Sequence, residues 1–136
     1  SLYILRPPTE PRVITEVIRR TGCGLLLDID HARVSAHYMN MPWKEYIAEL
    51  PMDHLKELHM TGTRLNEEGW LESHYEMRDE DWHIFDWTLD QIRSCAWAHP
   101  FVYAFEYGGI GKKFDKRSDP SVMIEQVPVF SKKYCA

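Results

Sequence analysis

An α/β fold of parallel strand–helix units is the class predicted for this 136-residue sequence, on three observations. Short apolar runs end abruptly in carboxylates and imidazoles. Segments of three- and four-residue apolar periodicity separate those runs, and proline or glycine marks the junctions. Strands that alternate with helices in this way argue for parallel βαβ units, because parallel neighbours need a crossover between them.

The organising stretch runs from Gly24 to His31. Leu25, Leu26 and Leu27 follow the turn signal Thr21-Gly22-Cys23-Gly24 and read as a strand covered on both faces. Asp28, Asp30 and His31 stand where that strand leaves the core, which in parallel sheets is the end where ligands bind. Upstream, Ser1 to Leu5 reads as a short strand. Arg6 to Pro11 then turns into a helix, with Thr9 as its cap, Pro11 in its first turn and Val13, Ile14, Val17 and Ile18 on one face. From His31 to Met41 a long loop is expected. Pro42 to Leu50 follows as a short helix stopped by Pro51.

Leu55 to Met60 is the next strand, with Leu55, Glu57 and His59 alternating against Lys56, Leu58 and Met60. Thr61-Gly62-Thr63 ends it, and a polar loop through Asn66 and Gly69 leads to an extended segment, Trp70 to His74. A helix is predicted over Asp79 to His99, since Phe85, Leu89, Ile92 and Ala96 recur at helical steps. Phe101 to Tyr107 is a β-rich run carrying Glu106 at its end. A charged loop follows, and Pro120 to Phe130 reads as a last helix that Pro128 would shorten. No internal repeat and no low-complexity linker interrupts the chain, so residues 1–136 read as a single partial (β/α) domain.

Bulk properties exclude several functions. The net charge is −5 and neither Lys nor Arg forms a run, so the footprint of a nucleic-acid binder is missing. No apolar stretch approaches the roughly 20 residues that cross a bilayer, and nothing from Ser1 onward resembles a signal peptide. The expectation is a cytoplasmic protein with no membrane partner. The three cysteines are odd in number and lack metal-binding spacing. Cys23 and Cys95 read as small packing residues, and Cys135 lies in the tail.

The chemistry gathers at strand ends: Asp28 with His31, then His59, then Glu72 with His74, then Glu106. Taken singly, His59 reads as a core histidine, Glu72 and His74 as solvated loop residues, and Glu106 as an acid paired to an arginine. Taken together, they put metal-competent side chains at four successive strand ends, which converge on one rim in a barrel-like sheet. Glu72 and His74 are two apart and share one side of an extended segment, whereas Asp28 and His31 need a bend to point together. Mixed imidazole and carboxylate donors favour iron, manganese or zinc over calcium. Asp30, His37, His54, His83 and His99 are read as structural or surface residues, and Gly108-Gly109-Ile110-Gly111 is too weak to be a phosphate loop.

The stretch from Gly22 to His31 resembles the Gly-Leu-Leu-Leu-Asp-x-x-Asn/His motif of a bacterial domain-of-unknown-function family. That family has a xylose-isomerase-like TIM barrel, and its characterised members are multinuclear-iron enzymes of methanobactin and thia-amino-acid peptide biosynthesis (MbnB-like and TglH-like). Glu57 to Gly62 is similar to the family's Glu-Ile-His-x-x-Gly segment. Leu71 to His74 with Asp81-Trp82 and Trp87-Thr88-Leu89 resembles its Asp-x-His and Trp-Leu pattern, and Phe105 to Gly109 its final strand acid. The four segments occur in the family's order from Thr21 to about Gly111. The resemblance implies metal ligands at Asp28, His31, His59, Glu72, His74 and Glu106, with the family's usual aspartate replaced by Glu72. It implies two or three iron ions, zinc or manganese being the alternatives, and dioxygen-dependent oxidation of a cysteine-containing peptide presented by a small partner protein.

A TIM barrel takes about 250 residues, and the family's first strands have no counterpart before Ser1. The expectation is therefore the carboxyl-terminal half of a barrel, about four parallel strands completed by a second copy or by an N-terminal half supplied by another chain. Two other readings remain at this point. One is a divalent-metal sugar isomerase or endonuclease on a similar barrel, and the other is a non-catalytic truncated half-barrel.

Overall fold

Helix formation begins where proline suits it. In the computed structural model, which describes residues 6–136 apart from the side chains of Arg6, Lys113 and Lys116, a single turn α1 (Arg6–Thr9) leads into α2 (Pro11–Thr21). The strand predicted for Ser1–Leu5 lies outside the described residues. Pro11 opens α2 at a position where its missing N–H costs nothing, and Glu10 rather than Thr9 occupies the cap without a side-chain bond. Of the predicted apolar face, Ile18 is buried and Ile14 packs against the core, but Val17 is exposed. Gly22 closes the helix in the left-handed conformation (φ 73°), its N–H returning to the Ile18 carbonyl at 2.8 Å.

The chain then enters β1 (Leu25–Asp28), and α3 (Ile29–Tyr38) starts on the very next residue. A loop was expected over His31–Met41. The helix forms instead because Asp28 caps it, one carboxylate oxygen accepting the His31 N–H at 2.9 Å. The short helix α4 (Trp43–Ala48) and β2 (Leu55–Met60) follow as predicted in position, with an unforeseen 3₁₀ turn (Met52–His54) between them. Next comes a hairpin, β3 (Gly62–Leu65) and β4 (Leu71–Tyr75), paired antiparallel. The segment bearing Glu72 and His74 is thus a hairpin strand and not a further parallel strand.

Helix α5 (Asp79–Arg93) stops well short of His99, since Cys95 turns to φ 59° and the Ala96 and Trp97 N–H groups fold back onto the Gln91 carbonyl. Strand β5 (Val102–Phe105) precedes a 3₁₀ stretch (Lys112–Arg117) and α6 (Pro120–Cys135). Pro128 sits inside α6 without ending it; burial of Phe130 beyond it offsets the lost hydrogen bond.

Strands β1, β2 and β5 form a parallel sheet in the order β1-β2-β5. This is the parallel α/β architecture expected, with three parallel strands among the described residues where about four were expected. A register shift at Lys56 matters most, because Leu25 pairs with Leu55 but Leu26 with Glu57. One extra residue on β2 flips its alternation. Leu55 therefore joins Leu58 and Met60 on the helix-covered side, all three fully buried, and His59 comes opposite Asp28. The core lies between this side and the helices, where Ile84, Phe85, Leu89, Ile92 and Phe130 meet Leu25, Leu27 and the β2 leucines. The opposite side is open: Leu26 and Val102 are exposed, so β1 is covered on one face rather than two. All three cysteines are exposed, which removes Cys23 and Cys95 from the core.

Candidate metal centre

Register builds the site. Asp28 pairs with His59 across β1 and β2, and His59 pairs with Ala104 across β2 and β5. Residues in register on parallel neighbours face the same side, and Glu106, two beyond Ala104, returns to that side at the strand's carboxyl end. Its N–H also continues the ladder to the Met60 carbonyl at 3.3 Å. One ligand-capable atom from each of Asp28, His59 and Glu106 consequently falls within 4.8 Å of the others.

His59 is held between two acids. Its Nε2 donates to Glu57 Oε1 at 2.6 Å, which leaves Nδ1 facing Glu106 Oε2 at 3.3 Å. Burial by itself would lower the imidazole pKa, but the hydrogen bonds and charges of Glu57 and Glu106 outweigh it and raise the value above the ordinary histidine range. Burial raises the Asp28 carboxyl, and the neighbouring Glu106 adds to this against the opposing His31 N–H. Glu106 moves the other way: hydrogen bonds from Asp28 and His59, with the nearby imidazoles, hold it below the usual range despite partial burial. Two carboxyl groups this close share a proton unless a cation replaces it.

His31 and His74 form the second part. The first turn of α3 swings His31 back so that its Nε2 lies 3.7 Å from Asp28 Oδ2, supplying the bend the three-residue spacing required. Its Nε2 is also 3.2 Å from His74 Nε2 and 3.1 Å from Ser73 Oγ. His74 Nδ1 meets the Glu106 carbonyl at 2.7 Å. A carbonyl only accepts, so Nδ1 carries a proton, and Nε2 is the nitrogen left for a further partner. His74 adopts φ 70°, a left-handed conformation that costs a non-glycine residue roughly 1–3 kcal/mol. The kink departs from extended geometry, so the two-residue spacing does not carry Glu72 along with His74. The Glu72 carboxylate instead accepts from Tyr75 Oη at 3.1 Å, outside the residues that line the cleft.

Asp28, His31, His59, His74 and Glu106 line one end of an open cleft of about 410 Å³ whose remaining walls include Leu25, Leu26, Leu27 and Ile14. Five of the six residues singled out in the sequence thus share one rim. Asp30 is structural, as read: fully buried, it accepts from the Thr61 N–H and, at 2.9 Å, from the Thr61 hydroxyl. Burial and the Asp28 charge push its pKa up to about 7. His37, His83 and His99 are exposed and His54 partly so.

Glu57 and Ser73 were missed. Glu57 had a usable signal, since it stands two before His59 on one strand and so shares its face. Ser73 had none, because its approach to His31 depends on where the hairpin folds.

Comparison with known proteins bears on the family of the chain. Residues 6–98, well over half of the chain, match the family model described as RiPP precursor modification enzyme MbnB/TglH/ChrH, RiPP denoting a ribosomally made, post-translationally modified peptide. A UPF0276 protein of Rhizobium meliloti is 38% identical over 84 residues, covering 57% of this chain and 27% of the relative. A UPF0276 protein of Bordetella pertussis is 33% identical over 86 residues (59% and 30%), and one of Paraburkholderia phytofirmans 32% over 97 residues (71% and 27%). The chain spans less than a third of the length of these curated relatives. Its strand-end motifs, its parallel sheet and the match over residues 6–98 place it in one group: the chain belongs to the RiPP precursor modification enzyme family MbnB/TglH/ChrH.

Proposed function

We propose that this chain carries part of a metal centre that oxidises a cysteine-containing precursor peptide with dioxygen. The single observation behind the reading is the convergence of Asp28, His59 and Glu106 within 4.8 Å at the carboxyl ends of three parallel strands. The donor set fits a cation: two carboxylates stand side by side, and a histidine offers Nδ1 while Glu57 holds its Nε2–H, the arrangement that orients metal-binding imidazoles. His31 and His74 would add nitrogen donors at the same rim, and Glu72 would join only by leaving Tyr75 Oη. Imidazole with carboxylate suits iron, with zinc or manganese as alternatives.

Bound there, two or three iron ions would supply Lewis acidity and electrons for oxygen chemistry. The chain's own residues hold the carboxylates together, fix the histidine nitrogens and line an apolar trough beside the rim that would receive the peptide. In the same reading, the chain is the carboxyl-terminal half of a TIM barrel, completed by an N-terminal half or a second copy, and a small partner protein presents the peptide.

Elemental analysis after anaerobic purification tests the proposal. More than one iron per chain, lost in Asp28→Ala, His59→Ala and Glu106→Ala, supports it. A single zinc or manganese would move the chain toward the isomerase and endonuclease class, and no metal at all would leave a non-catalytic half-barrel.

A further inference from the structure

We propose that Arg117 is the positioning residue that sets His74 in the candidate centre, acting through the backbone of the hairpin. The inference rests on the metal reading only for its consequence; the conformational claim stands without it. Arg117 lies on the loop after β5, far in sequence from His74, and is more than nine-tenths buried. Its guanidinium donates to the Ser73 carbonyl and is stacked between two rings, 5.0 Å from the centroid of Tyr75 and 4.8 Å from that of Phe114.

A buried guanidinium needs a reason, and among the described residues no ion pair with a carboxylate supplies it: it grips the peptide immediately before the non-glycine residue of β4 that turns left-handed, His74 at φ 70°. The same loop takes hold of the following carbonyl, since the Gly108 N–H donates to His74 O at 3.0 Å. Gly108 is itself at φ 90°, and a Cβ there would come within 2.9 Å of the Arg117 carbonyl, so the two grips are built against each other. Between them the His74 ring donates Nδ1–H to the Glu106 carbonyl, and its Nε2 meets His31 Nε2 at 3.2 Å. Held on both flanking carbonyls, the peptide cannot relax to the extended form that would rotate the ring away.

Long-range nitrogen–proton NMR of the imidazoles in the metal-free, nitrogen-labelled chain near pH 8 reads this directly. Arg117→Met keeps an apolar stem between the rings but loses the donor; Arg117→Lys keeps a donor for the Ser73 carbonyl. His74 in the unaltered chain shows the Nδ1–H form. The expected result is loss of that form in Arg117→Met and its return in Arg117→Lys, with the His37 and His83 signals unchanged in both. A merely structural role would lower the unfolding midpoint and leave the His74 signature intact below it. An unchanged His74 signature in Arg117→Met, or a lysine variant that behaves like the methionine one, overturns the proposal. As a second readout, zinc affinity by chelator competition falls about tenfold in Arg117→Met, the usual scale for a residue that orients a ligand. If the unaltered chain holds neither iron, zinc nor manganese, the metal reading fails, and the tautomer measurement still decides the role of Arg117.

Discussion

Asp81 shows how one side chain joins three elements. It opens α5, where it accepts the Arg78 N–H at 3.0 Å, and it takes Arg33 of α3 and Arg64 of β3 at 2.8 Å each while almost fully buried. Burial alone would raise its pKa, but the Arg78 N–H and the two guanidinium groups outweigh it and lower the value. A depressed folded value gives stability that is present above the unfolded pKa near 3.8 and lost as pH falls through the folded pKa. Replacing Asp81 with Asn takes from Arg33 and Arg64 their shortest ion pairs and leaves only the longer ones to Asp30, Glu80 and Glu76, and a loss of about 2 kcal/mol is expected near neutral pH. Urea unfolding across pH 2–7 checks the sign: the gap between the two proteins narrows below about pH 4. A gap that stays constant on acidification would show that the pair is not what Asp81 contributes.

At the scale of elements, α6 is the instructive case, because proline predicts that it breaks and packing keeps it whole. Phe130 stacks on Phe85 of α5 with ring centroids 4.5 Å apart and 9° between planes, and it also contacts Phe105 of β5. Lys133 reaches the Asp86 carboxylate at 2.6 Å from the next turn. Phe130→Ala removes the ring that bridges α5, β5 and α6, and a cost of about 3–5 kcal/mol in chemical denaturation is expected. A loss below about 1 kcal/mol would mean that α6 docks by other means. The hairpin makes a related point: the extended segment expected over Trp70 to His74 forms as β4, but its partner β3 is not foreseen and the turn at His74 undoes the two-residue spacing. Alternation reports an extended segment but says nothing of which strand it pairs with.

The whole molecule has a sheet with one side covered. Helices bury Leu25, Leu27, Leu55 and Leu58, whereas Leu26 (50% exposed) and Val102 (45%) stand on the open side beside the candidate centre. Among the described residues the outer edges of β1 and β5 have no strand partner. Unpaired parallel edges with apolar side chains favour association. Sedimentation velocity at micromolar concentration is expected to show a self-associated species, which Leu26→Lys with Val102→Lys disperses. A monomer with a sharp, cooperative thermal transition would sink the half-barrel view.

By itself, the sequence determined the α/β class, the places of β1, β2, α2 and α5, and the candidacy of Asp28, His31, His59, Glu72, His74 and Glu106, because apolar periodicity and the polarity change at strand ends are local properties of the chain. The relatives found over residues 6–98 agree with the family those motifs pointed to. Tertiary structure decided the rest. The single extra residue at Lys56 brings His59 opposite Asp28, and nothing in the local pattern marks it. The left-handed turn at His74 takes that ring toward His31 and leaves Glu72 with Tyr75, and it is set by an arginine more than forty residues away. Register and long-range grips are choices among backbone arrangements that one stretch of sequence leaves nearly equal in energy, and only the packed molecule selects between them.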